Sequence, residues 1–371
     1  MLSKGKTRAG DLGDAPNVMP KRTSDMKEPR VTLKTLAEHL HLTAGTISAA
    51  LNDSAAARAI PEHTKRRILK AARELNYKPN YFARSLRLQR TYTIGVIAEQ
   101  IGDPYGAAII SGIEEYLRNT EYLFLTMIHR HDQRILQTYS QVLLARGVEG
   151  FITVDTSIQE TPPLPTVAVA GHRHLPGVTN ITIDHRIAAR LALTHLMEHG
   201  HRDIAFLKGQ KRSSDSMTRW TAICDVAREL GLRIRPELTV QIETDLATPE
   251  LGYPSAKKLL ARKQHFTALF AYNDISAIGA IQAFQEAGLH VPEDVSVVGF
   301  DDIPLAVIFK PELTTVSQRL LSMGQLAAKT IIDQIEKTAE YKPEIMVEPE
   351  LIQRASSGRV KGSAAKAKTA K

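Results

Sequence analysis

The stretch VTLKTLAEHLHLTAGTISAALNDSAAARAIPEHTKRRILKAARELNYKPNYFARSLRLQR, residues 31–90, decides how the rest of the chain is read. Leu33, Leu36, Ala37 and Leu40 recur at the period of one amphipathic helix. A tight break at His41-Leu42 follows, and Thr43 is placed to cap a second helix through Thr46, Ile47, Ala50 and Leu51. Two short helices joined by a tight turn form a helix-turn-helix, whose second helix enters the DNA major groove. On that helix Ile47, Ala50 and Leu51 share the inward face, which turns Ala44, Gly45, Ser48 and Ala49 toward the bases. Past an alanine-rich loop, Pro61 sits at a helix start, and Ile68, Ala71, Ala72 and Leu75 mark a third inward face.

The charge is distributed to match. The whole chain of 371 residues carries +8, but residues 1–90 carry +10, residues 354–371 carry +6 and the middle carries −8. A basic end on an acidic body points to polyanion contact through the N-terminal unit. Cys224 is the only cysteine, which excludes an intrachain disulfide and a multi-cysteine metal site; it reads as a buried small hydrophobe in a reducing compartment. The sequence lacks an apolar run of membrane-spanning length and a signal-peptide core in its first thirty residues. The expectation is a cytoplasmic protein, which counts against an exported solute-binding protein.

Val31-Thr32-Leu33 with Ala37, Thr46-Ile47-Ser48, Leu51-Asn52, Leu75-Asn76-Tyr77, Pro79-Asn80 and Ala83-Arg84-Ser85-Leu86 stand in a telling order. Their spacing resembles the lactose-repressor/galactose-repressor family of bacterial transcription regulators, and the resemblance runs to about Arg354. It implies a homodimeric regulator, a repressor rather than an activator, that binds a pseudo-palindromic double-stranded operator under control of a small-molecule effector, a carbohydrate or related metabolite. The DNA contacts it implies are Thr43, Ala44, Gly45, Thr46, Ser48, Ala49 and Asn52, then Asn80, Ala83, Arg84 and Leu86 in a hinge. In the family the hinge becomes a helix when two subunits meet on an operator. Leu86 is then the wedge that unstacks a minor-groove step, with Ala83 on the groove floor. The chain departs from the pattern at Ala49, where most members carry a base-reading arginine, and at Ala44 and Gly45, the positions that vary with operator choice. Specificity then rests on Thr46, Ser48, the hinge and methyl contacts with thymine. Thr43, Asn52, His63, Lys65 and Arg66 read as phosphate contacts, with a solvated helix face as the alternative for Lys65 and Arg66.

The expected organisation is a disordered basic leader (1–30), a helix-turn-helix domain (31–77), a hinge helix (78–90), a core (91–353) and a disordered basic tail (354–371). From Thr91 short apolar runs alternate with helical patterns, at 93–98, 122–127, 150–154, 166–170, 180–184, 204–207, 238–242, 268–271 and 295–300. Such alternation argues for parallel sheets covered on both faces. The fold class is therefore an all-α helix-turn-helix domain plus an α/β core of two parallel-sheet subdomains, similar to periplasmic binding proteins. The resemblance implies three crossings between subdomains, placed near Asp184, Val316 and Tyr341. That gives a first subdomain of about 91–184 and 317–341 and a second of about 185–316 and 342–353.

Ligands of open parallel sheets bind beyond the carboxyl ends of strands. Five residues there, Asp103, Tyr105, Arg219, Asn273 and Asp301, are the effector-site candidates, and for Arg219 and Asp301 the family match favours the ligand. Donors, acceptors and an aromatic face together suit a polyol. Asp103 and Asp302 also read as turn or cap residues, the preferred reading for Asp302; Asp274 reads as an N-cap; Trp220 reads as core or pocket wall. Ala170 follows a strand where sugar-binding members often carry Asp or Asn. His195 and His199 have a spacing that can hold zinc on a helix, but no carboxylate or cysteine completes a set, so a structural role is preferred. With no nucleotide fingerprint, Walker loop or nucleophile elbow, neither catalysis nor a cofactor is expected. The competing reading, motivated by the small residues on the reading helix, is a cytoplasmic sugar receptor that has lost specific DNA binding.

Overall fold

The computed structural model describes residues 31–361 apart from Asp53, Pro79, Asn80, His172, Arg212 and Asp245, and only the backbone of Tyr81, Phe82, Ala83, Gln133 and Ser214. The expected leader (1–30), the distal tail (362–371) and Asn80 thus lie outside the described residues, as does the side chain of Ala83. The chain forms two units, divided between Gln89 and Arg90.

In the first unit, α1 (Leu33–Leu40) opens on a reciprocal cap: Thr35 N donates to the Thr32 hydroxyl and Thr32 N to the Thr35 hydroxyl. His41, at φ 53°, stops it in the left-handed conformation. The Thr43 hydroxyl accepts from Thr46 N at 3.1 Å and starts α2 (Ala44–Leu51). A 3-10 turn, Ala55–Ala59, leads to Pro61 and α3 (Glu62–Glu74). Leu36, Ile47 and Ile68, all fully buried, close the three helices on one another with Ala50 and Ala71. Each large side chain contributes about 1.5–3 kcal/mol by leaving water. The linker segment forms α4 (Tyr81–Leu88).

The second unit runs β1 (Thr93–Ala98), α5 (Pro104–Leu117), β2 (Leu123–Ile128), α6 (Gln133–Ala145), β3 (Gly150–Val154), β4 (Thr166–Val169) and β5 (Val178–Ile183). It continues through α7 (His185–Glu198), β6 (Ile204–Lys208), α8 (Ser214–Glu229), β7 (Thr239–Gln241), α9 (Tyr253–Ala261) and β8 (Ala268–Phe270). Then come α10 (Asp274–Glu286), β9 (Ser296–Asp301), α11 (Leu305–Ile308), β10 (Thr314–Ser317), α12 (Leu320–Glu336), β11 (Glu344–Val347) and β12 (Glu350–Ile352). One sheet has the order β11-β5-β4-β3-β1-β2 and the other β12-β10-β9-β8-β6-β7. Every pairing is parallel except β10 with β12. Helices on both faces explain why β1, β5 and β9 are buried along their whole length, the polar positions Thr179, Asn180 and Thr182 of β5 included. The helix α12 returns to the first lobe, where Gly112 of α5 and Gly324 of α12 let the backbones touch. A Cβ on Gly112 would lie 2.0 Å from Leu321 O, and one on Gly324 would lie 2.0 Å from Ile109 O.

Four expectations are corrected. The third crossing falls at residues 348–349 rather than near Tyr341, because β11 pairs with β5 and belongs to the first sheet. Arg90 belongs to the core and not to the hinge: its Nε donates to Glu149 at 2.9 Å and its Nη2 to Glu336 at 2.7 Å. Residues 354–361 are folded rather than part of a disordered tail. Ser356 Oγ donates to Val297 O at 2.6 Å, Gly358 N donates to Ser296 Oγ at 3.0 Å, and Lys361 pairs with Asp294. Cys224 is half-buried rather than buried.

Candidate functional site

On the first unit, Thr43, Ala44 and Gly45 of the reading helix are exposed, and Thr46 and Ala49 are half-exposed. Ser48 is not on that face. It is buried, its hydroxyl receives Arg87 Nη1 at 2.9 Å and Asn52 Nδ2 at 3.3 Å, and so it joins α2 to α4. Asn52 also donates to Ser48 O at 2.7 Å, so its amide closes the end of α2. Of the phosphate candidates, Lys65 is paired with Glu62 at 2.7 Å, while Thr43, Asn52, His63 and Arg66 are exposed. Leu86 of α4 is 81% exposed, a large apolar side chain held out to solvent beside the half-exposed Arg84. An exposed leucine on a helix this short gains nothing from the fold that carries it.

On the second unit, a crevice of about 370 Å³ opens between the two sheets, at the carboxyl ends of their strands. The first sheet supplies Glu99 after β1, Asp103 and Tyr105 at the start of α5, His129 and His131 after β2, and Asp155 after β3. The second supplies Gln210 after β6, Asp215 and Arg219 from α8, Tyr272 and Asn273 after β8, and Asp301 at the end of β9. Leu246, Ala247 and Leu251 add an apolar wall.

Arg219 is the buried cation of this crevice. It ion-pairs with Asp215 and donates from Nη1 to Tyr272 O at 2.6 Å. Its guanidinium carbon lies 3.8 Å from the Phe300 ring centroid and 4.7 Å from that of Tyr272. Burial is the largest single influence and works against its charge, but Asp215, Tyr272, Asp301 and Tyr105 together outweigh it and hold the group protonated. Opposite it, burial pushes the Asp301 carboxyl well above the usual range, with Arg219 opposing, and Gln318 Nε2 donates to it at 2.6 Å. Burial likewise lifts the Tyr105 hydroxyl and lowers His129. Asp155 at φ 46° and Asp301 at φ 116° lie in the left-handed region, a strain of about 1–3 kcal/mol each that aims strand-end carboxylates. In this crevice the buried Tyr105 Oη, Arg219 Nε and His129 Nδ1 make no hydrogen bond among the described residues. Such atoms cost about 1–3 kcal/mol each unless water or a ligand meets them.

Asp103, Tyr105, Arg219, Asn273 and Asp301 therefore all line one crevice. Two of them also cap helices: Asp103 accepts from Tyr105 N and Gly106 N, and Asn273 accepts from Ser276 N. The N-cap of α10 is thus Asn273 and not Asp274, which is buried behind it and accepts from Ile303 N at 2.9 Å. Asp302 caps nothing in the crevice; it pairs with Arg354 at 2.6 Å. Trp220 sits edge-on to Phe206, against the core. Ala170 does not line the crevice. Asp155, His129 and Asp215 were missed by the sequence reading. Asp155 directly follows β3 and His129 directly follows β2, so the strand-end rule reaches both, whereas Asp215 is visible only as the residue one helical turn before Arg219.

His195, His199 and His201 are structural. His195 Nε2 meets the Ser357 hydroxyl at 2.8 Å, and His201 meets Thr267 and Gly358. Among the described residues no group of three His, Cys, Asp or Glu is arranged to hold a metal ion, and no helix is long and apolar enough to cross a membrane.

A family model described as a periplasmic binding protein-like domain matches residues 193–357. The HTH-type transcriptional repressor PurR of Pasteurella multocida (strain Pm70) is 31% identical over 338 residues, spanning 88% of this chain and 98% of its own. A lactose repressor dimer bound to operator and the anti-inducer ONPF shares the fold, with a TM-score of 0.78 at 23% identity over 89% of this chain and all of its own. A LacI family regulator of Enterococcus faecium with bound ribose has a TM-score of 0.63 at 25% identity, over 72% of this chain and all of its own. The chain belongs to the lactose-repressor/galactose-repressor family of DNA-binding transcriptional repressors controlled by small-molecule effectors.

Proposed function

We propose that the effector is an uncharged polyhydroxylated molecule, a sugar or close relative, held between Arg219 and Asp301. The observation that carries this is the ring of carboxylates around a single buried arginine already paired with Asp215. Among the described lining residues Arg219 is the sole arginine or lysine, and an anionic ligand would also meet Glu99, Asp103 and Asp155. Hydroxyl groups, which both donate and accept, suit carboxylates, Arg219 Nε, Tyr105 Oη and His129 Nδ1 together. Ribose bound in the Enterococcus faecium relative supports the same class. The protein acts in the cytoplasm as a homodimer on a pseudo-palindromic operator. Its two reading helices, contacting DNA through Thr43, Ala44, Gly45, Thr46 and Ala49, enter successive major grooves, and the two Leu86 side chains wedge the minor groove between them. Asn80, Ala83 and Arg84 contact the hinge step. Ser48 acts behind the reading face, holding α2 to α4, and the exposed Asn52 contacts DNA while its amide closes the end of α2.

The test is a panel of neutral sugars, sugar phosphates and nucleobases titrated against the fluorescence of Trp220, the sole tryptophan, which neighbours Arg219 on α8. A neutral sugar is expected to bind the wild type and not Arg219→Ala. Exclusive binding of a sugar phosphate or a nucleobase would overturn the assignment.

A further inference from the structure

A second cavity, about 710 Å³, lies across the first lobe crossing, where β5 ends at Ile183 and α7 begins at His185. Its floor is one face of the β5–β11 pair: Asn180 opposes Glu344 in register and Thr182 opposes Met346. Its roof is a face of α8 carrying Met217, Thr221 and Asp225. The two sides thus come from different lobes.

Three features define its chemistry. Asn180 is 1% exposed; its Nδ2 donates to Arg173 O at 3.3 Å, but its Oδ1 has no partner, leaving a buried acceptor in want of a donor. Glu344, which accepts from Thr182 Oγ1 at 3.2 Å, adds a carboxylate, whereas Asp225 is bound by Arg228 at 2.9 Å and lies 3.8 Å from Arg186, which also pairs with Glu229. Met217 and Met346, both more than half exposed, flank the opening with flexible apolar surface suited to an apolar body. The cavity is also joined to the effector crevice. His185 lines it, His185 Nε2 meets Asp215 Oδ1 at 3.0 Å, and Asp215 pairs with Arg219.

We propose that this cavity binds a small organic cation with an apolar body, and that the His185–Asp215–Arg219 chain couples its occupancy to the effector crevice. An N–H group of the ligand meets Asn180 Oδ1, its charge faces Glu344, and its body packs on the two methionines. A ligand touching both lobes at the crossing favours one lobe angle over the other, and coupling of this kind is reciprocal between sites.

Ligand-detected NMR on the full chain tests this with benzamidine as probe and benzoate as its anionic match. Benzamidine is expected to bind and benzoate not. Asn180→Leu removes the acceptor, and Glu344→Lys reverses a charge on an exposed edge position that the fold does not need. Each is expected to weaken benzamidine by about tenfold, the loss of one charge-assisted or buried hydrogen bond. Asp155→Asn in the effector crevice is expected to leave the signal intact. Arg219→Ala, which lines the effector crevice and not this cavity, is expected to shift the benzamidine dissociation constant. No binding, or binding lost only with Asp155→Asn, overturns the site; an unchanged constant in Arg219→Ala overturns the coupling.

Discussion

Arg219 shows what a single residue can be asked to do when its surroundings remain polar. Its charge is met by Asp215, its face by two aromatic rings, and its Nε by nothing in the protein. This position was legible in the sequence only through the family match, since no composition or period marks one arginine on a helix. Asp155 needed no family, because it follows an evident strand. His195 gives the residue scale a test of stability. Burial lowers its pKa to about 4, and His199 and His201 add to the shift. Its folded pKa lies below the unfolded value of 6.5, so the unfolded chain binds the extra proton. The stability gained by keeping it neutral is complete above about pH 6.5 and is lost as pH falls toward 4. Comparing His195→Gln with the wild type by urea unfolding should show a gap that narrows by up to about 3 kcal/mol across that window. A gap independent of pH would show that the imidazole titrates normally.

At the scale of elements, helices and long strands announced themselves through period and burial, and the nine strands expected from apolar runs are all present, β1 and β3 with the expected bounds and the other seven with shifted ends. β10, β11 and β12 were invisible for a physical reason. Thr314, Thr315 and Ser317 in β10 are polar by composition yet buried, because their hydroxyls are spent on Arg354 O, Asp274 and Arg319 N. β11 and β12 are short edge strands with alternating exposure and several glutamates. The segment 354–361 was hidden likewise, since hydrogen bonds rather than apolar periodicity anchor it. The α5–α12 crossing makes a sharp prediction: Gly112→Val should destabilise the second unit by about 1–3 kcal/mol through overpacking, measured as a lower urea midpoint. An unchanged midpoint would mean the helices can part without cost. For α4, Leu86→Ala should cost about 1.5–3 kcal/mol of operator affinity and leave non-specific DNA binding nearly intact. Equal loss on both DNAs would remove the wedge.

At the scale of the whole molecule, charge and fold divide the labour. The N-terminal ninety residues hold +10 and the middle of the chain −8, so the unit that meets DNA is attractive to phosphate and the unit that senses the effector is not. The salt dependence of DNA binding should therefore reside almost wholly in residues 1–89, with a slope unchanged when the effector unit is removed. The sequence made this division readable, along with the family, the two sheets and five residues of the crevice. It left the bent backbone at Asp155 and Asp301 and the turn of Ser48 away from the reading face to tertiary packing. The most direct measurement is selection of operator sequences from a random duplex library by the full-length protein, at physiological salt, with and without the neutral-sugar panel. The account predicts an enriched pseudo-palindrome whose binding at least one neutral sugar changes, with the change lost in Arg219→Ala. Binding without sequence enrichment, or an enriched operator indifferent to every sugar, would contradict it.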